Sequence, residues 1–581
     1  MQSHPAIRAE VEETRWSHFG RTDLVANKFD PFQKTFFIDG TAGASMFRLE
    51  GDLKNPYNPA LELLKRNFSG YFALSMIPDD EKQKVLIIGP GGGRDVLVAK
   101  MAGSGEITGV EINGDMVAMA RAHADYNGGI YSGMPGVKVV ISEGRSYLKR
   151  EGAQYDVIYL SIPITNTSRS PEGFALSESF LFTTDAIKDY LAHLTPNGRL
   201  IVVAHDPLEL FKLLVMVLDA WEKEGVRLQE ALKRIYTTGS PHFPVLVVKR
   251  SPIGQEEAQR IHDEIMNIRH YPSATTYIPG ITQHAHRIPI DPDRIMEQGM
   301  MNEVILSMAE GKFVPEDVIE AVPFNMRPAT DESPFFFKIE KGVPNILITL
   351  LVLSLIFSVW AFLSRIRDSY PVTISVGPDH THAPFSRAVR FRILFASLGM
   401  GFMLVEIPLI QKFSLFLGEP TYSLSITVLS LLVGGGLGSM VSERLQHLED
   451  RYTIGGPALL VALGVGAALG WSEMIFEWLL GERIVVRAAA SAAMLIPLGF
   501  VMGIPFPSGI RLLSKTGMST QIPLMWGING AMSVTGSVGS MILAIQWGFT
   551  VALITGASLY LVVFLLFGTP TSWRRPTVMA S

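Results

Sequence analysis

The distribution of hydrophobic and polar residues divides the chain into two halves. Up to about residue 340, short apolar runs alternate with polar segments, and afterwards long apolar stretches carry almost no charge. A bilayer core of ~30 Å requires about 20 apolar residues in helical conformation. Seven stretches meet this requirement, at 344–363, 393–411, 422–441, 456–480, 488–505, 523–546 and 551–568. The pattern therefore predicts a soluble half followed by an α-helical transmembrane bundle of about seven helices.

The first half has the pattern of a parallel sheet whose faces are covered by helices. From residue 84 onwards, apolar runs of strand length alternate with segments of helical length. Such alternation is typical of α/β domains. The predicted strands are 84–88, 106–112, 137–142, 155–161, 198–205 and a late, antiparallel strand over 243–249. We therefore predict an α/β Rossmann-like fold for this half.

The length of the chain, 581 residues, is too great for a single hydrophobic core, because single cores stop growing near ~250–300 residues. The first residues are charged and lack an apolar run, so no cleavable signal peptide is expected. We predict an N-terminal strand hairpin and lead-in over 1–80, a Rossmann-like domain over 81–250, an accessory segment or cap over 251–343, the transmembrane bundle over 344–568 and a tail over 569–581.

The composition excludes several classes of chemistry. The chain has no cysteine, which excludes disulfides, thiolate metal sites and cysteine nucleophiles. A net charge of −5 and a pI of about 6.3 give no indication of nucleic-acid binding. His284 and His286 have the spacing of two metal ligands, but no third ligand is evident, so no metal site is predicted.

Candidate cofactor-binding residues follow the first three predicted strands. Gly89, Gly91 and Gly93 follow the first strand, and glycines allow a backbone to turn tightly and to approach a ligand without a clash of Cβ atoms. The next helix then points its free amide groups at that ligand. Glu111 ends the second strand, where it is placed to accept hydrogen bonds from both hydroxyls of a ribose.

Glu143 follows the third strand, where it is placed to accept a hydrogen bond from an adenine amino group. A glycine loop alone is weak evidence, because it is also compatible with a plain tight turn. Together, the loop, Glu111 and Glu143 at three successive strand ends favour an adenosine-type cofactor. The order of the acids suits S-adenosylmethionine better than a dinucleotide, and ATP is not expected because no phosphate-binding Lys-Ser/Thr pair is present.

On these residues the chain resembles the spermidine synthase-like branch of the class I methyltransferase folds, and more narrowly its membrane-integral members. This resemblance implies S-adenosylmethionine or decarboxylated S-adenosylmethionine as the cofactor. The similar segments cover the strand hairpin through 21–25 and 36–40, then 175–183, 194–198 and 328–336, and in the bundle 406–411, 417–420 and 526–530.

Two departures from this family's pattern bear on the reaction. Gly92 occupies the place of an aspartate in the glycine loop of aminopropyltransferases, and Ser161 begins the segment where they carry two further aspartates. Those acids hold and deprotonate a cationic amine, so ordinary spermidine synthesis is not expected. The loop instead resembles that of a methyltransferase, which implies that Asp95 lies near the methionine part of the cofactor.

The candidate catalytic residues are Glu178, Ser161 and Asp39. Glu178 lies where the polar loop after the fourth strand enters a helix, and it is the best-placed base or amine contact. Asp39 and His205 are weaker candidates, because polar residues in loops are usually solvated and a histidine at a strand end is usually structural.

Three functional hypotheses remain open. The first is a membrane-anchored transferase that moves a methyl or aminopropyl group to a small-molecule or lipid-phase acceptor. The second is a catalytically degenerate module that acts as a sensor or as a scaffold subunit of a membrane complex, and the third is a polyamine-related transporter. The expected partners are membrane lipids, subunits of a membrane complex or a second copy of the chain, and no nucleic acid.

The sidedness of the soluble half is ambiguous. Lysine and arginine concentrate in alternate loops of the bundle, around 365–392, 444–451, 511–515 and 574–575. By the positive-inside rule that side is cytoplasmic, and if 344–363 crosses the membrane the soluble half then lies outside. An adenosyl cofactor is a cytoplasmic metabolite. We therefore expect an integral protein of the bacterial cytoplasmic membrane whose soluble half is cytoplasmic.

Glu406 is an acid within an apolar run of the second predicted span. An ionisable residue at that depth is costly and is a candidate functional residue. One interpretation is a helix-packing hydrogen bond to Asn529 or Trp526 on a later helix. The other is a transport path through the bundle.

Overall fold

The computed structural model consists of two compact units, Met1–Lys341 and Gly342–Ser581. We refer to them as the N-terminal and the C-terminal unit. The structure describes residues 9–27, 30–40, 42–49, 53, 59–161, 178–240, 243–267, 276–284, 298–364, 384–418 and 420–568.

A four-stranded antiparallel sheet begins the N-terminal unit. Its strands follow the order β1-β2-β3-β4 and pair as successive hairpins. Leu24, Phe36 and Met46 are fully buried on one face of this sheet. The sheet has four strands, two more than the predicted hairpin. The strands are β1 (Ala9–Ser17), β2 (Gly20–Asn27), β3 (Asp30–Ile38) and β4 (Ala42–Phe47).

A seven-stranded sheet forms the centre of the N-terminal unit. Its strands are β5 (Lys84–Ile88), β6 (Glu106–Glu111), β7 (Val137–Ile141), β8 (Tyr155–Ser161), β9 (Leu194–Val203), β10 (Ile235–Ser240) and β11 (Phe243–Lys249). The order is β10-β11-β9-β8-β5-β6-β7, with β5 to β9 parallel and β11 antiparallel to both neighbours. The predicted α/β class and the antiparallel direction of 243–249 are therefore confirmed.

Helices cover both faces of this sheet. Successive side chains of a strand point to opposite faces, and β5 is apolar on both, so each face must be buried. Leu86 and Ile88 belong to the core on one face, and Val85 and Ile87 belong to the core on the other. The helices are α1 (Pro59–Asn67), α2 (Ser69–Ser75), α3 (Arg94–Met101), α4 (Gly114–Ala122), α5 (Ala124–Asn127), α6 (Gly144–Glu151), α7 (Thr184–Ala192), α8 (Pro207–Lys223), α9 (Leu228–Leu232), α10 (Gln255–Asn267), α11 (Gln298–Ala309) and α12 (Pro315–Ala321).

The strand order reverses between β5 and β8. From β5 the chain proceeds to β6 and β7 on one side, and then returns to β8 and β9 on the other. In open α/β sheets, ligands bind beyond the carboxyl ends of the strands at such a switch point. The loops that follow β5 and β8 therefore flank the expected binding crevice.

The C-terminal unit is helical, and seven of its described helical segments are long and apolar enough to cross a membrane. This agrees with the seven spans predicted from the sequence. The helices are α13 (Asn345–Leu363), α14 (Pro384–Leu417), α15 (Pro420–Arg444), α16 (Gly456–Leu479), α17 (Ile484–Met502), α18 (Pro505–Lys515), α19 (Ile522–Trp547) and α20 (Phe549–Phe567).

Candidate functional site

The glycine loop joins β5 to α3 at the switch point. Gly89, Gly91 and Gly93 have φ angles of 70°, 55° and 100°, a left-handed conformation that strains residues with a Cβ. A Cβ at Gly93 would lie 2.9 Å from Ile130 Cδ1, and one at Gly91 would lie 2.9 Å from Ala44 Cβ. The loop therefore requires glycine at both positions for conformational and steric reasons.

Gly92 is required for a different reason. A Cβ at this position would lie 2.5 Å from the carbonyl oxygen of Ser45 in β4. The N-terminal sheet therefore packs its backbone directly against the loop. An aspartate in place of Gly92, as in the aminopropyltransferase pattern, would require β4 to move.

Glu111 ends β6 beside the glycine loop. Its carboxylate accepts hydrogen bonds from the N–H groups of Gly91 at 2.9 Å and Asn113 at 3.0 Å. Burial raises the pKa of Glu111, and these backbone donors oppose that shift. Because a carboxylate has about four acceptor positions, Glu111 both fixes the loop and keeps capacity for a ligand hydroxyl.

The side chain of Asn113 connects this region to the N-terminal sheet. Asn113 caps α4 by accepting from the N–H groups of Asp115 and Met116, and its Nδ2 donates to Thr22 Oγ1 at 3.1 Å. Thr22 and Asn113 are both buried. The N-terminal sheet is thus a structural wall of the site and not a separate appendage.

Glu143 follows β7 and is the N-cap of α6. Its oxygens accept from the N–H groups of Arg145 at 2.9 Å and Ser146 at 2.6 Å. The carboxylate is half-buried, and two of its acceptor positions are used by the helix. A capping role and a contact to an adenine amino group are therefore compatible.

Asp95, Arg94 and Ser161 meet between the ends of β5 and β8. Arg94 Nε donates to Asp95 at 3.0 Å, and its Nη2 donates to Ser161 Oγ at 2.7 Å. The guanidinium also lies over the ring of Phe68, 4.6 Å from its centroid. Burial lowers the pKa of Arg94, but the Asp95 carboxylate outweighs burial and raises it. A permanent cation therefore lies between the Asp95 carboxylate and the Ser161 hydroxyl.

Two buried tyrosines also line this region, although sequence reasoning did not single them out. Tyr131 donates to the carbonyl oxygen of Gly91 at 2.7 Å. Tyr159 is fully buried, and its hydroxyl has no hydrogen-bond partner among the described residues. Burial, and then the nearby Asp95 carboxylate, raise the pKa of Tyr159 well above its usual value. The continuous apolar run around Tyr159 in β8 predicts a buried strand but gives no sign of a polar role for this residue.

Glu178 is the first described residue after the loop 162–177, which lies outside the described residues. Burial raises the pKa of the Glu178 carboxyl. The residues that follow it are fixed by the segment around Asp331: Ser179 N–H donates to Pro334 O at 2.8 Å, and Thr183 Oγ1 donates to Asp331 at 2.7 Å.

Arg145 anchors that segment. Its Nη1 and Nη2 donate to the two oxygens of Asp331 at 2.7 and 2.8 Å, and its Nε donates to Asp189 at 2.5 Å. Arg145 is only 1% exposed, so its guanidinium is desolvated, whereas the carboxylates of Asp331 and Asp189 are partly exposed. The motif 328–336, known from the sequence only as a family resemblance, thus holds the chain that leaves the candidate acceptor loop.

Asp39 and His205 have structural contacts. Asp39 lies in the turn between β3 and β4 with a φ of 48°, and its carboxylate accepts from Arg21 N–H at 2.9 Å. His205 N–H and Nδ1 both contact Glu209, at 3.0 and 3.1 Å. Among the described residues, no hydrogen bond joins either one to the glycine loop.

No group of three potential metal ligands of the His, Asp and Glu type occurs in the described part of the chain. His284 instead contacts the carboxylates of Glu303 and Glu310, the latter at 2.9 Å. His286 lies outside the described residues.

No protein-family model matches the chain. The chain is similar to spermidine synthase from Thermotoga maritima, with 18% sequence identity and a TM-score of 0.30, over 45% of this chain and 78% of that chain. A spermidine synthase in complex with the transition state analogue AdoDATO is 17% identical, with a TM-score of 0.30, over 45% of this chain and 79% of that chain. A probable spermidine synthase from Corynebacterium glutamicum ATCC 13032 is 14% identical, with a TM-score of 0.31, over 44% of this chain and 88% of that chain. Because these TM-scores are low, the assignment of the α/β fold rests on the strand order of the seven-stranded sheet and not on these similarities.

Proposed function

We propose that the N-terminal unit binds S-adenosylmethionine or its decarboxylated form and transfers a group to a small or membrane-associated acceptor. The observation that carries this proposal is the convergence of the strained glycine loop and the Glu111 carboxylate at the switch point of the sheet. The seven apolar helices would anchor the enzyme in the bacterial cytoplasmic membrane, with this unit on the cytoplasmic side.

The residues at this edge fit an adenosyl group. Glu111 has free acceptor capacity for ribose hydroxyls, and Glu143 has it for an adenine amino group. Asp95, at the first turn of α3, would lie toward the amino-acid part of the cofactor. The N–H groups at the start of α3 would face the same part.

An S-adenosyl sulfonium supplies an alkyl group that is already activated for transfer. The protein would then act mainly by positioning the acceptor and excluding water. Arg94 places a positive charge beside Ser161, which disfavours a cationic amine there, and Gly92 has no room for an acid that would hold one. We therefore propose methyl transfer to a neutral or anionic acceptor in preference to aminopropyl transfer to a polyamine.

Glu178 is the proposed base or acceptor contact of this reaction. Burial raises the pKa of its carboxyl, which makes Glu178 a stronger base than an exposed glutamate. The buried Arg145–Asp331 pair would fix the chain that follows Glu178 and so maintain its position.

A second candidate function is a degenerate module that binds a metabolite without turnover. The hydrogen bonds of Arg94 favour this function. Its guanidinium donates to both Asp95 and Ser161, where it would block the approach of an acceptor. Replacement of Arg94 by alanine would relieve such a block. A gain of transfer activity in that variant would support the degenerate module.

Calorimetric titration of the full-length chain in detergent tests the proposed function. S-adenosylmethionine and its decarboxylated form are titrated separately into wild type, Glu111→Gln and Glu106→Ala. Glu106 is the matched control, because it is exposed at the opposite end of the same strand. We expect Glu111→Gln alone to weaken binding about tenfold or more, since hydrogen bonds to a charged group contribute about 1.5–3 kcal/mol.

Tighter binding of S-adenosylmethionine than of its decarboxylated form would support methyl transfer. No binding of either ligand by a folded wild-type chain would refute the transferase and leave a scaffold as the better account.

A further inference from the structure

Glu406 is a buried acid in α14 that no described residue neutralises. It lies inside the candidate membrane span Ala388–Leu417 and is 9% exposed. No hydrogen bond or ion pair joins it to another described residue. The expected partners are engaged elsewhere: Asn529 donates to Phe395 O at 3.0 Å, and Trp526 packs against Phe506. The prediction that Glu406 forms a packing hydrogen bond with Asn529 or Trp526 is therefore wrong.

Two further buried polar side chains in the same bundle lack partners. Thr427 on α15 and Ser540 on α19 are 0% exposed, and neither hydroxyl oxygen has a hydrogen-bond partner within the described part of the chain. Other hydroxyls of α19 do have one: Ser533, Thr535 and Ser537 each donate to a carbonyl one turn earlier in the helix. Buried unsatisfied polar groups are rare in native structures, and each calls for an explanation.

The packing of α19 on α14 brings Ser540 to the level of Glu406. Asn529 contacts Phe395 O and Ser533 contacts Gly399 O, and both pairs are separated by 134 positions. The two helices therefore run in parallel with a constant offset, and Ser540 and Glu406 have the same separation. Close packing supports this register, because a Cβ at Gly399 would lie 2.2 Å from Asn529 O.

The packing of α15 on α14 brings Thr427 to that level as well. Ser423 Oγ donates to Ile410 O at 2.5 Å, close to the short connection between the two helices. That connection makes the helices antiparallel. One turn forward from Ser423 and one turn back from Ile410 leads to Thr427 and Glu406. Thr427 also shares the face of Ser423, since residues four apart lie on one side of a helix.

Among the described residues of the C-terminal unit, no basic group faces this level. Arg487 donates to Phe416 O at 2.7 Å, ten residues from Glu406 and so about 15 Å away along the helix. Lys412 is six residues away and points to another face of α14. The ionisable residues of helices packed on α14 are Tyr422, Glu443 and Arg444 on α15, Arg487 on α17, Arg511 and Lys515 on α18 and Tyr560 on α20, with none on α19.

We propose that Glu406, Thr427 and Ser540 form a binding site for a small monovalent cation, either a proton or a sodium ion, inside the helical bundle. One positive charge neutralises the carboxylate, whose isolated charge would be costly in an apolar environment. The two hydroxyls contribute oxygen atoms that either coordinate a sodium ion or hydrogen-bond a protonated carboxyl group. The site is independent of the proposed transferase function.

The test uses dicyclohexylcarbodiimide, an apolar reagent that modifies protonated carboxyl groups. The full-length chain in detergent is labelled across neutral pH, in sodium chloride or in choline chloride, and labelled peptides are identified by mass spectrometry. Glu406→Gln confirms the assignment of the label. Glu482, an exposed acid of the same unit, is the internal control and should stay unlabelled.

A proton site predicts labelling of Glu406 that falls as pH rises and that sodium does not affect. A sodium site predicts labelling that sodium suppresses and choline does not. In either case the double variant Thr427→Val with Ser540→Ala should shift the pH midpoint or the protecting sodium concentration by about threefold or more, since each lost hydrogen bond contributes about 0.5–1.5 kcal/mol. Absent labelling of Glu406, or labelling that neither pH, sodium nor the double variant changes, would overturn the proposal.

Discussion

At the switch point of the N-terminal unit, the carboxylates of Glu111 and Glu143 each accept two backbone N–H groups. In the C-terminal unit, Glu406 accepts none from any described residue. The difference follows from where each acid stands in its element. Loops and first helical turns after strands have N–H groups without intrahelical partners, whereas every N–H in the middle of a helix already donates to a carbonyl four residues earlier.

This contrast shows how the two units treat buried charge. The N-terminal unit stabilises the carboxylates of Glu111 and Glu143 with fixed backbone donors, so its candidate site is organised before a ligand binds. The C-terminal unit leaves one acid for an exchangeable cation. Four predictions test this difference, from the largest expected effect to the smallest.

Loss of Asp331 should have the largest effect on stability. Asp331→Ala leaves the buried guanidinium of Arg145 with one remaining carboxylate, Asp189. Removal of one partner of a buried ion pair typically costs about 3–5 kcal/mol. Denaturant unfolding of the full-length chain measures the loss, and Asp80→Ala, an exposed acid, should change stability by less than about 0.5 kcal/mol. Equal effects of both variants would refute the role of the pair.

Gly93→Ala should destabilise the glycine loop. Alanine at the φ of 100° is strained, and its Cβ would lie 2.9 Å from Ile130. We expect a cost of about 2–3 kcal/mol, of which the left-handed conformation accounts for about 1–2 kcal/mol. Gly152→Ala separates the two causes, because Gly152 has a φ of 61° with nothing within 4 Å of its Cβ. A smaller effect of Gly93→Ala than of Gly152→Ala in the same unfolding assay would contradict the steric argument.

Lys212 should make the stability of the N-terminal unit depend on pH. Burial lowers its pKa from 10.5 to about 7, although its Nζ donates to the carbonyl oxygens of Phe336 at 2.5 Å and Lys338 at 3.0 Å. The unfolded chain therefore binds more protons above about pH 7, so stability rises with pH from about 7 to about 10.

The slope is at most about 1.4 kcal/mol per pH unit. The measurement compares unfolding of wild type and Lys212→Met between about pH 7 and about pH 9. We expect wild type to gain on the order of 2 kcal/mol relative to the variant over this interval. An unchanged difference between the two proteins would show that Lys212 stays protonated.

The smallest expected effect on stability comes from removing single hydroxyl groups on α15, one with a hydrogen-bond partner and one without a described partner. Ser423 donates to Ile410 O, whereas Thr427, one turn later, has no described partner. Ser423→Ala should cost about 0.6 kcal/mol, and at most about 1.7 kcal/mol, as is usual for hydrogen bonds between membrane helices. Thr427→Val should be neutral or slightly stabilising in a sodium-free buffer above neutral pH. A larger loss for Thr427→Val in thermal unfolding would show that its hydroxyl is paired in the protein.

Local sequence patterns predicted most of the sheet and all seven apolar helices. β5, β8 and β11 have the predicted bounds, because apolar runs with flanking glycine or charge define them. β10 was missed, because buried Thr237 and Thr238 give a weak apolar signal. Such polar strand residues are recognised only once β11 pairs with them.

The candidate site was predictable only where it follows strand ends. Gly91 and Glu111, 20 positions apart, do meet. The Arg145–Asp331 pair joins residues separated by 186 positions, and no local pattern encodes such a contact. The hydrogen bond of Arg94 to Ser161 joins residues 67 positions apart and arises only because β5 and β8 are adjacent in the sheet.

Hydrogen–deuterium exchange of the full-length chain with and without S-adenosylmethionine tests the central claim most directly. The account predicts that the ligand slows exchange in the loops after β5, β6 and β7, around Gly91, Asn113 and Arg145. The same experiment with Glu111→Gln should show little or no protection at equal ligand concentration. Protection elsewhere in the chain, or no protection in wild type at a saturating concentration, would contradict an adenosyl-binding site at this edge of the sheet.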